Sequence, residues 1–397
     1  MGYGFGRADV AFLTGAAGSA ALAEVDRLEL TPATHLRDLE RVRRDHGGYA
    51  PALIETVRLR RKAAAKLSGA DEWLFTDDAL QQATPSPVAR ARARRLAGRA
   101  VHDVTCSIGA ELAELARVCP AVIGSDLDDV RLSMAAHNLS RASTRSALPR
   151  NLLVAQADAL VPVSRETVVI ADPARRADGR RTHDPAKLQP PLPDLLAAYS
   201  GRDIAVKCAP GLDFDTLDWT GEVEVVSLDG AVREACLWSP GLAEPGVTRR
   251  ATVLSTNGDP LILTDAEPDD IPVRAPGEWI VDPDGAIVRA GLVRHYAAKH
   301  GLWQLDPQIA YLTGDQVPAG LRGFRILDRL ELREKSLRQE LARRDCGALE
   351  ILVRGVDIDP DALRKRLKLR GAQTFTLILT RIGRAGTAFL CTAHRAR

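Results

Sequence analysis

The 397-residue sequence predicts an α/β protein: a doubly wound, Rossmann-like sheet preceded by a helical domain and followed by two small α+β modules. Three observations carry that expectation. From residue 100 to residue 211 short apolar runs of strand length alternate with amphipathic stretches, the arrangement of parallel strands joined by right-handed crossovers. Before residue 99 apolar residues recur every three to four positions, and no strand-like run interrupts them. Beyond the Pro/Gly-rich link from Pro240 to Gly246, short β-rich runs and short helices alternate.

Taken in order, AGSAALAEVDRL, ATHLRDLERVRRDHG and ALIETVRLRRKAAAKLSGADEWLF read as helices. In ATPSPVARARARRLAGR, Pro85 and Pro87 break one helix and open the next. The expected strands of the sheet are AVHDVTC (100–106), AVIGSDL (121–127), NLLVAQAD (151–158), ETVVIADPA (166–174) and DIAVKCAPG (203–211). EVEVVSL and REACLWS have no helix between them and predict an antiparallel hairpin at the sheet edge. ATVLSTNGDPLILTD predicts a hairpin about its NGD turn, and AIVRAGLVRHYAAKHG predicts one amphipathic helix. The tail reads FRILDRLELR, a helix LREKSLRQELARRDCG, a strand ALEILVRG, a helix opened by Asp359 or Pro360, and a strand TFTLILTRIG. The expected domains are therefore 1–80, 81–243, 244–320 and 321–397.

Hydrophobic content of 45% and charged content of 27% are ordinary for a globular protein, and no stretch approaches the roughly 18 apolar residues of a membrane span. The opening MGYGFGRADVAFLTGAAGSAAL has no basic segment ahead of an apolar core and carries Asp9 early, so no secretory signal is read and a cytoplasmic location is expected. Six cysteines, at 106, 119, 208, 236, 346 and 391, form no CxxC pair, which predicts reduced thiols and no zinc site. Formal net charge is +2, yet residues 321–397 hold 18 basic against 9 acidic side chains. That asymmetry predicts a polyanionic partner for the tail. With 46 Arg and 8 Lys the composition is arginine-biased throughout, so only clusters of arginine carry weight.

The most informative local signal runs from Val101 to Asp126. VHDVTCSIGAEL sets a small-residue turn with Gly109 between a strand and a helix N-terminus, where free N–H groups face a ligand. VIGSDLD ends the next strand in Asp126, placed to accept both hydroxyls of a ribose at the carboxyl rim of the sheet. A dinucleotide site would show G-x-G-x-x-G; the single glycine here favours S-adenosylmethionine over NAD, since there is no pyrophosphate to cradle. Asp158, ending the third strand in QADAL, stands at the same rim, where a carboxylate can accept from an adenine amino group or simply cap the next turn.

The fourth strand ends IADPARR. With D-V-T-C-S-I-G, Asp126 and Asp158, the tetrapeptide Asp172-Pro173-Ala174-Arg175 resembles the catalytic motif of class I S-adenosylmethionine-dependent methyltransferases that modify nucleic acid. WLFTDDALQQATPSPVA is similar to the approach to the cap-guanine N2 methyltransferases, whose T-P element, here Thr84-Pro85, lies near the cofactor. EILVRGVDIDPDALRKRLKLRG and LILTRIG resemble the THUMP-like domain attached to one bacterial methyltransferase family, in which a small ferredoxin-like module precedes it, here 244–320. The resemblance implies that Thr84, Pro85, Asp103, Cys106, Gly109, Asp126, Leu127 and Asp158 hold S-adenosylmethionine. It implies that Asp172 and the Pro173 carbonyl accept hydrogens from an exocyclic amine, orienting its lone pair at the methyl group. The family's fourth motif residue is aromatic and stacks on the flipped base; here it is Arg175, whose guanidinium can also stack.

Arg175 and Arg176, with Arg180 and Arg181, form a basic loop beside the expected crevice and are candidates for RNA contact, as are Arg364, Lys365, Arg366, Lys368 and Arg370 in the tail. Arg90, Arg92, Arg94, Arg95 and Arg99 spread over several helix faces and are explained nearly as well by the arginine bias. A second chemistry would use Cys208 as a nucleophile, as in uridine C5 methyltransferases that also carry D-P-A-R; a buried cysteine ending a strand is the plainer reading. The expected function is thus methylation of a base in structured RNA, tRNA or rRNA. A small-molecule or protein methyltransferase, and a non-catalytic RNA-binding protein on the same fold, are the rivals.

Overall fold

Helices fill the first hundred residues, as the apolar spacing requires: α1 (Arg7–Thr14), α2 (Ala16–Val25), α3 (His35–His46), α4 (Ala50–Ala63), α5 (Asp77–Gln82) and α6 (Ser86–Arg95). In α4, Leu53, Ile54, Val57 and Leu59 are buried while arginines take the other face. Thr76 caps α5 by accepting from the Ala79 N–H at 3.1 Å, and Pro85 and Pro87 open α6. The computed structural model describes residues 2–145, 151–174, 176–177, 180–181, 184–318 and 321–395. Among these no single helix is long and apolar enough to cross a membrane.

The sheet follows: β1 (Val101–Asp103), α7 (Ala110–Leu115), β2 (Ala121–Asp126), α8 (Asp129–Arg145), β3 (Asn151–Gln156), β4 (Val168–Ala171), the two-residue strands β5 (Arg176–Ala177) and β6 (Arg180–Arg181), α9 (Leu192–Ala198), β7 (Ile204–Cys208), β8 (Glu222–Leu228) and β9 (Ala231–Trp238). The chain divides into two units, Met1–Val223 with Glu234–Glu244, and Glu224–Arg233 with Pro245–Arg397. In the first, the strand order is β9-β7-β4-β1-β2-β3, parallel except for β9, which runs antiparallel to β7. Order reverses between β1 and β4, the switch point of a doubly wound sheet, so a crevice opens beyond the carboxyl ends of those two strands.

In the second unit, β10 (Arg249–Ser255) and β11 (Gly258–Thr264) form the expected antiparallel hairpin, and β10 lies beside β8. The β8–β9 hairpin therefore does not form the sheet edge expected from the lack of a helix between its strands. All seven residues of β8 are buried, and its acidic ones are matched: Glu224 accepts from Thr252 Oγ1 at 2.5 Å. The remaining elements are β12 (Trp279–Val281), α10 (Gly285–Arg289), α11 (Val293–His300), β13 (Trp303–Gln304), β14 (Leu312–Gly314), β15 (Arg322–Glu331), α12 (Glu334–Arg343), β16 (Cys346–Val353), α13 (Pro360–Leu367), β17 (Gln373–Ile382) and β18 (Ala385–Arg395).

These strands make one sheet in the order β13-β14-β12-β15-β18-β17-β16, so strands from 244–320 and from 321–397 share hydrogen bonds. Two local expectations are corrected. The helix read through AIVRAGLVRHYAAKHG is two helices, because Gly291 takes φ +76° and ends α10. The sequence reading also missed β18, which pairs with both β15 and β17. Asp359 does cap α13, accepting from the N–H groups of Asp361 and Ala362.

Candidate active site

The turn between β1 and α7 is built from residues that let it lie flat on its neighbours. Ser107 and Gly109 take φ of +49° and +80°, and a Cβ on Gly109 would stand 3.3 Å from the Ala135 Cβ of α8. Gly124 of β2 performs the same service beneath the turn: a Cβ there would come within 2.3 Å of Leu112 Cδ1 and 3.1 Å of Cys106 Sγ. Asp126, ending β2, locks the arrangement by accepting from the Ser107 N–H at 2.9 Å and the Asp128 N–H at 3.0 Å.

Over this turn lies a cleft of about 880 Å³, large enough for a cofactor together with part of a substrate. Of the residues expected from sequence, Thr84, Asp103, Cys106, Asp126, Leu127, Asp158 and Asp172 line it. Pro85, Gly109 and Pro173 do not. Pro85 is the residue before α6, Gly109 is the buried residue before α7, and Pro173 is buried behind Asp172. Asp158 is exposed and accepts from the Leu160 N–H at 2.9 Å, so it also caps a turn. Arg175 lies outside the described residues. Arg176, Arg180 and Arg181 fall in the paired strands β5 and β6 that follow the motif.

Charge is concentrated in the cleft, where Asp103 and Glu111 line it, and in the buried layer next to it, where Arg92 and Glu234 lie. Arg92 of α6, 4% exposed, reaches Glu111 Oε1 at 2.6 Å and also pairs with Glu234, which in turn accepts from the Thr84 hydroxyl at 3.2 Å. Burial disfavours the Arg92 charge, but its acidic neighbours, Glu111 first, hold the guanidinium pKa above its ordinary value. Burial pushes the Asp103 carboxyl up to about 7; the Thr105 N–H and Lys207 oppose the rise, and Glu111 and Asp172 add to it. Burial likewise pushes the Cys106 thiol well above its usual range, which makes it inert packing.

Asp172 follows the last residue of β4. Its backbone N–H donates to Thr105 Oγ1 at 2.7 Å, and its carboxylate accepts from Lys207 Nζ. Lys207, which lines the cleft, is the neighbour of Asp172 that sequence reasoning missed: alternation puts it on the face opposite Cys208 but does not say which face is the cleft. Cys208 does not line the cleft and is buried. None of the six cysteines forms a disulfide, and all are buried. Several arginines of the helical segment prove to be internal partners: Arg90 pairs with Glu114, Arg95 with Glu222 and Arg99 with Asp203. In α13, Arg364 pairs with Asp361 and Arg366 with Glu334, while Lys365, Lys368 and Arg370 are exposed.

Known proteins resemble this chain in three ways. The family model of a THUMP domain-like module matches residues 321–393, and that of a domain of unknown function matches 6–63. An uncharacterised S-adenosylmethionine-dependent methyltransferase of Mycobacterium tuberculosis strain CDC 1551 is 56% identical over 362 residues, covering 88% of this chain and 99% of the relative. The protein of the same description from strain H37Rv gives the same figures. Among solved structures, a protein of Porphyromonas gingivalis W83, provisionally named a methyltransferase, superposes over 100% of both chains with a TM-score of 0.76 at 20% identity.

Proposed function

The chain belongs to the S-adenosylmethionine-dependent methyltransferases, and from that premise we propose that it methylates an exocyclic amine of a base in structured RNA, tRNA or rRNA, in the cytoplasm. The observation that carries the reading is the position of Asp172: a carboxylate at the end of β4, in one cleft with Asp126 and Asp158 and fixed at both its backbone and its side chain. The four-part division at 80, 243 and 320 belongs to this proposal, with the basic tail as the RNA-binding part.

The residues present suit the cofactor. Asp126 ends β2 and Asp158 stands two residues beyond the adjacent parallel strand β3, and Ser107 Oγ, on the cleft wall beside Asp126, is buried with no hydrogen-bond partner among the described residues. Asp126 would take the ribose and Asp158 the adenine amino group, with Thr84, Pro85, Asp103, Cys106, Gly109 and Leu127 shaping the pocket. S-adenosylmethionine supplies an activated sulfonium methyl group, so little covalent work is left to the protein. Asp172 accepts hydrogen from the acceptor amine and turns its lone pair toward the methyl group; the apolar wall of Ile108, Ala159, Leu160 and Ile170 excludes water. Support for RNA comes from the THUMP-like match at 321–393 and from the 18 basic against 9 acidic residues of the tail. Arg175 and Arg176 are proposed to meet the base and the phosphates beside it.

The test is nucleoside mass spectrometry of RNA from a strain lacking the gene, incubated with the protein and deuterium-methyl S-adenosylmethionine. An exocyclic methylguanosine or methyladenosine that disappears with Asp172→Ala is the expected result. No label in any nucleoside, with cofactor binding intact, would place the acceptor outside RNA.

A further inference from the structure

The β4–β7 register sets Ala171 beside Val206, so the next pair along these parallel strands is Asp172 beside Lys207. The strand residues before it, Ala205 and Val206, are apolar and fully buried, which is what a central parallel strand calls for. Lys207 departs from that rule. It is 6% exposed, lines the cleft, and donates from Nζ to Asp172 Oδ2. A buried ammonium is costly unless it is paired, so its presence asks for a return beyond packing.

Charged groups stand near this pair on three other elements: Asp103 at the end of β1 and Arg92 on α6, which act on it directly, and Glu111 on α7, which acts on both of these. With Lys207 counted, two carboxylates and two cations thus stand around Asp172, and without it the carboxylates are in excess. Its backbone N–H is tied to Thr105 Oγ1, which fixes the main chain but leaves the carboxylate plane to be set by something else. Lys207 reaches one of the two carboxylate oxygens.

We propose that Lys207 is a positioning residue for the methyl acceptor: by holding one oxygen of Asp172 it fixes the carboxylate plane, so that the amine is met by an acceptor of set direction. The inference rests on the reading of Asp172 above. Its chemical return is alignment, since a misplacement of about 1 Å in a transfer of this kind costs on the order of a hundredfold in rate. Lys207 touches neither the methyl group nor the amine in this scheme; it acts through Asp172 alone.

The experiment compares the full chain carrying Lys207→Met, Lys207→Arg, Asp172→Asn, and Lys207→Met with Asp172→Asn, on the RNA that the parent methylates. Lys207→Met should lower kcat by roughly thirtyfold while KM for RNA and Kd for S-adenosylmethionine stay within about threefold, and Lys207→Arg should recover part of the loss. In the Asp172→Asn background, Lys207→Met should change kcat less than about twofold, because its partner is gone. Full kcat in Lys207→Met beside an inactive Asp172→Asn overturns the role of Lys207 alone. Full turnover in Asp172→Asn overturns the reading of Asp172 and this inference with it. An equal loss in both backgrounds, or a loss of cofactor affinity that matches the loss of kcat, also overturns it. Should Lys207→Met fail to fold, Lys207→Gln makes the same comparison. Urea midpoints of the parent, Lys207→Met, Asp172→Asn and the double variant give a readout free of any substrate: non-additive shifts are expected, and additive ones overturn the pairing.

Discussion

Replacing Arg92 with Met tests whether the buried layer next to the cleft is held by charge. The guanidinium is nearly fully buried between Glu111 and Glu234, and Glu234 also takes the Thr84 hydroxyl. Met matches the length and apolar stem of Arg, so packing changes little and the charge is what is lost. Two buried carboxylates then face each other without compensation, and breaking a buried pair in this way costs about 3–5 kcal/mol. At a urea slope near 3 kcal/mol/M the unfolding midpoint of the first unit falls by about 1–1.7 M. Trp73 and Trp238, both buried in that unit, supply the fluorescence signal. Adding Glu111→Gln and Glu234→Gln to Arg92→Met should recover more than half of the loss, since neutral amides no longer need the cation. A loss below about 1 kcal/mol, or no recovery on neutralising both acids, would refute the claim that Arg92 is a structural counter-ion.

Two further outcomes follow from the same cleft. The Asp103 pKa is raised to about 7 from 3.8, so between those values the folded state keeps a proton that the unfolded state has released, and stability falls as pH rises through this window. At about 1.36 kcal/mol per unit the full effect is on the order of 4 kcal/mol. Asp103→Asn should therefore flatten the pH dependence of the urea midpoint between pH 5 and pH 8, and an unchanged slope would remove Asp103 as its source. Asp126→Ala frees the Ser107 and Asp128 N–H groups as well as removing the proposed ribose acceptor, so calorimetry should show S-adenosylmethionine binding weakened by at least about tenfold, and intact affinity would defeat the cofactor assignment.

What was legible in the sequence is what local chemistry fixes. The strand–turn–helix at 101–115, the carboxylate ending β2 and the Asp172-Pro173 pair after β4 each depend on residues within a few positions of one another. They are placed at the rim of a parallel sheet by sequence alone, because alternation of strand and helix leaves few topologies. The residues that were misjudged depend on partners far along the chain. Arg92 looked like one arginine among many, yet its partners are 19 and 142 positions away in sequence. The edge expected for β8 failed in the same way: nothing local shows that β10 pairs with it, or that Arg95 and Thr252 meet Glu222 and Glu224. Gly291 could not be told from a tolerated glycine inside a helix until its positive φ was seen, and β18 was hidden by small residues and threonines that give alternation little contrast.

Lys207 joins the two kinds of information. Alternation along β7 separates its face from that of Cys208, and this much is local. Which of the two faces the cleft is decided by the β4–β7 register, which sets Lys207 beside Asp172 and buries Cys208. A one-residue slip would exchange them, putting a thiol beside Asp172 and an ammonium in the core. The register that brings Lys207 rather than Cys208 to the cleft is thus what supports the proposed amine-orienting carboxylate over a thiol nucleophile.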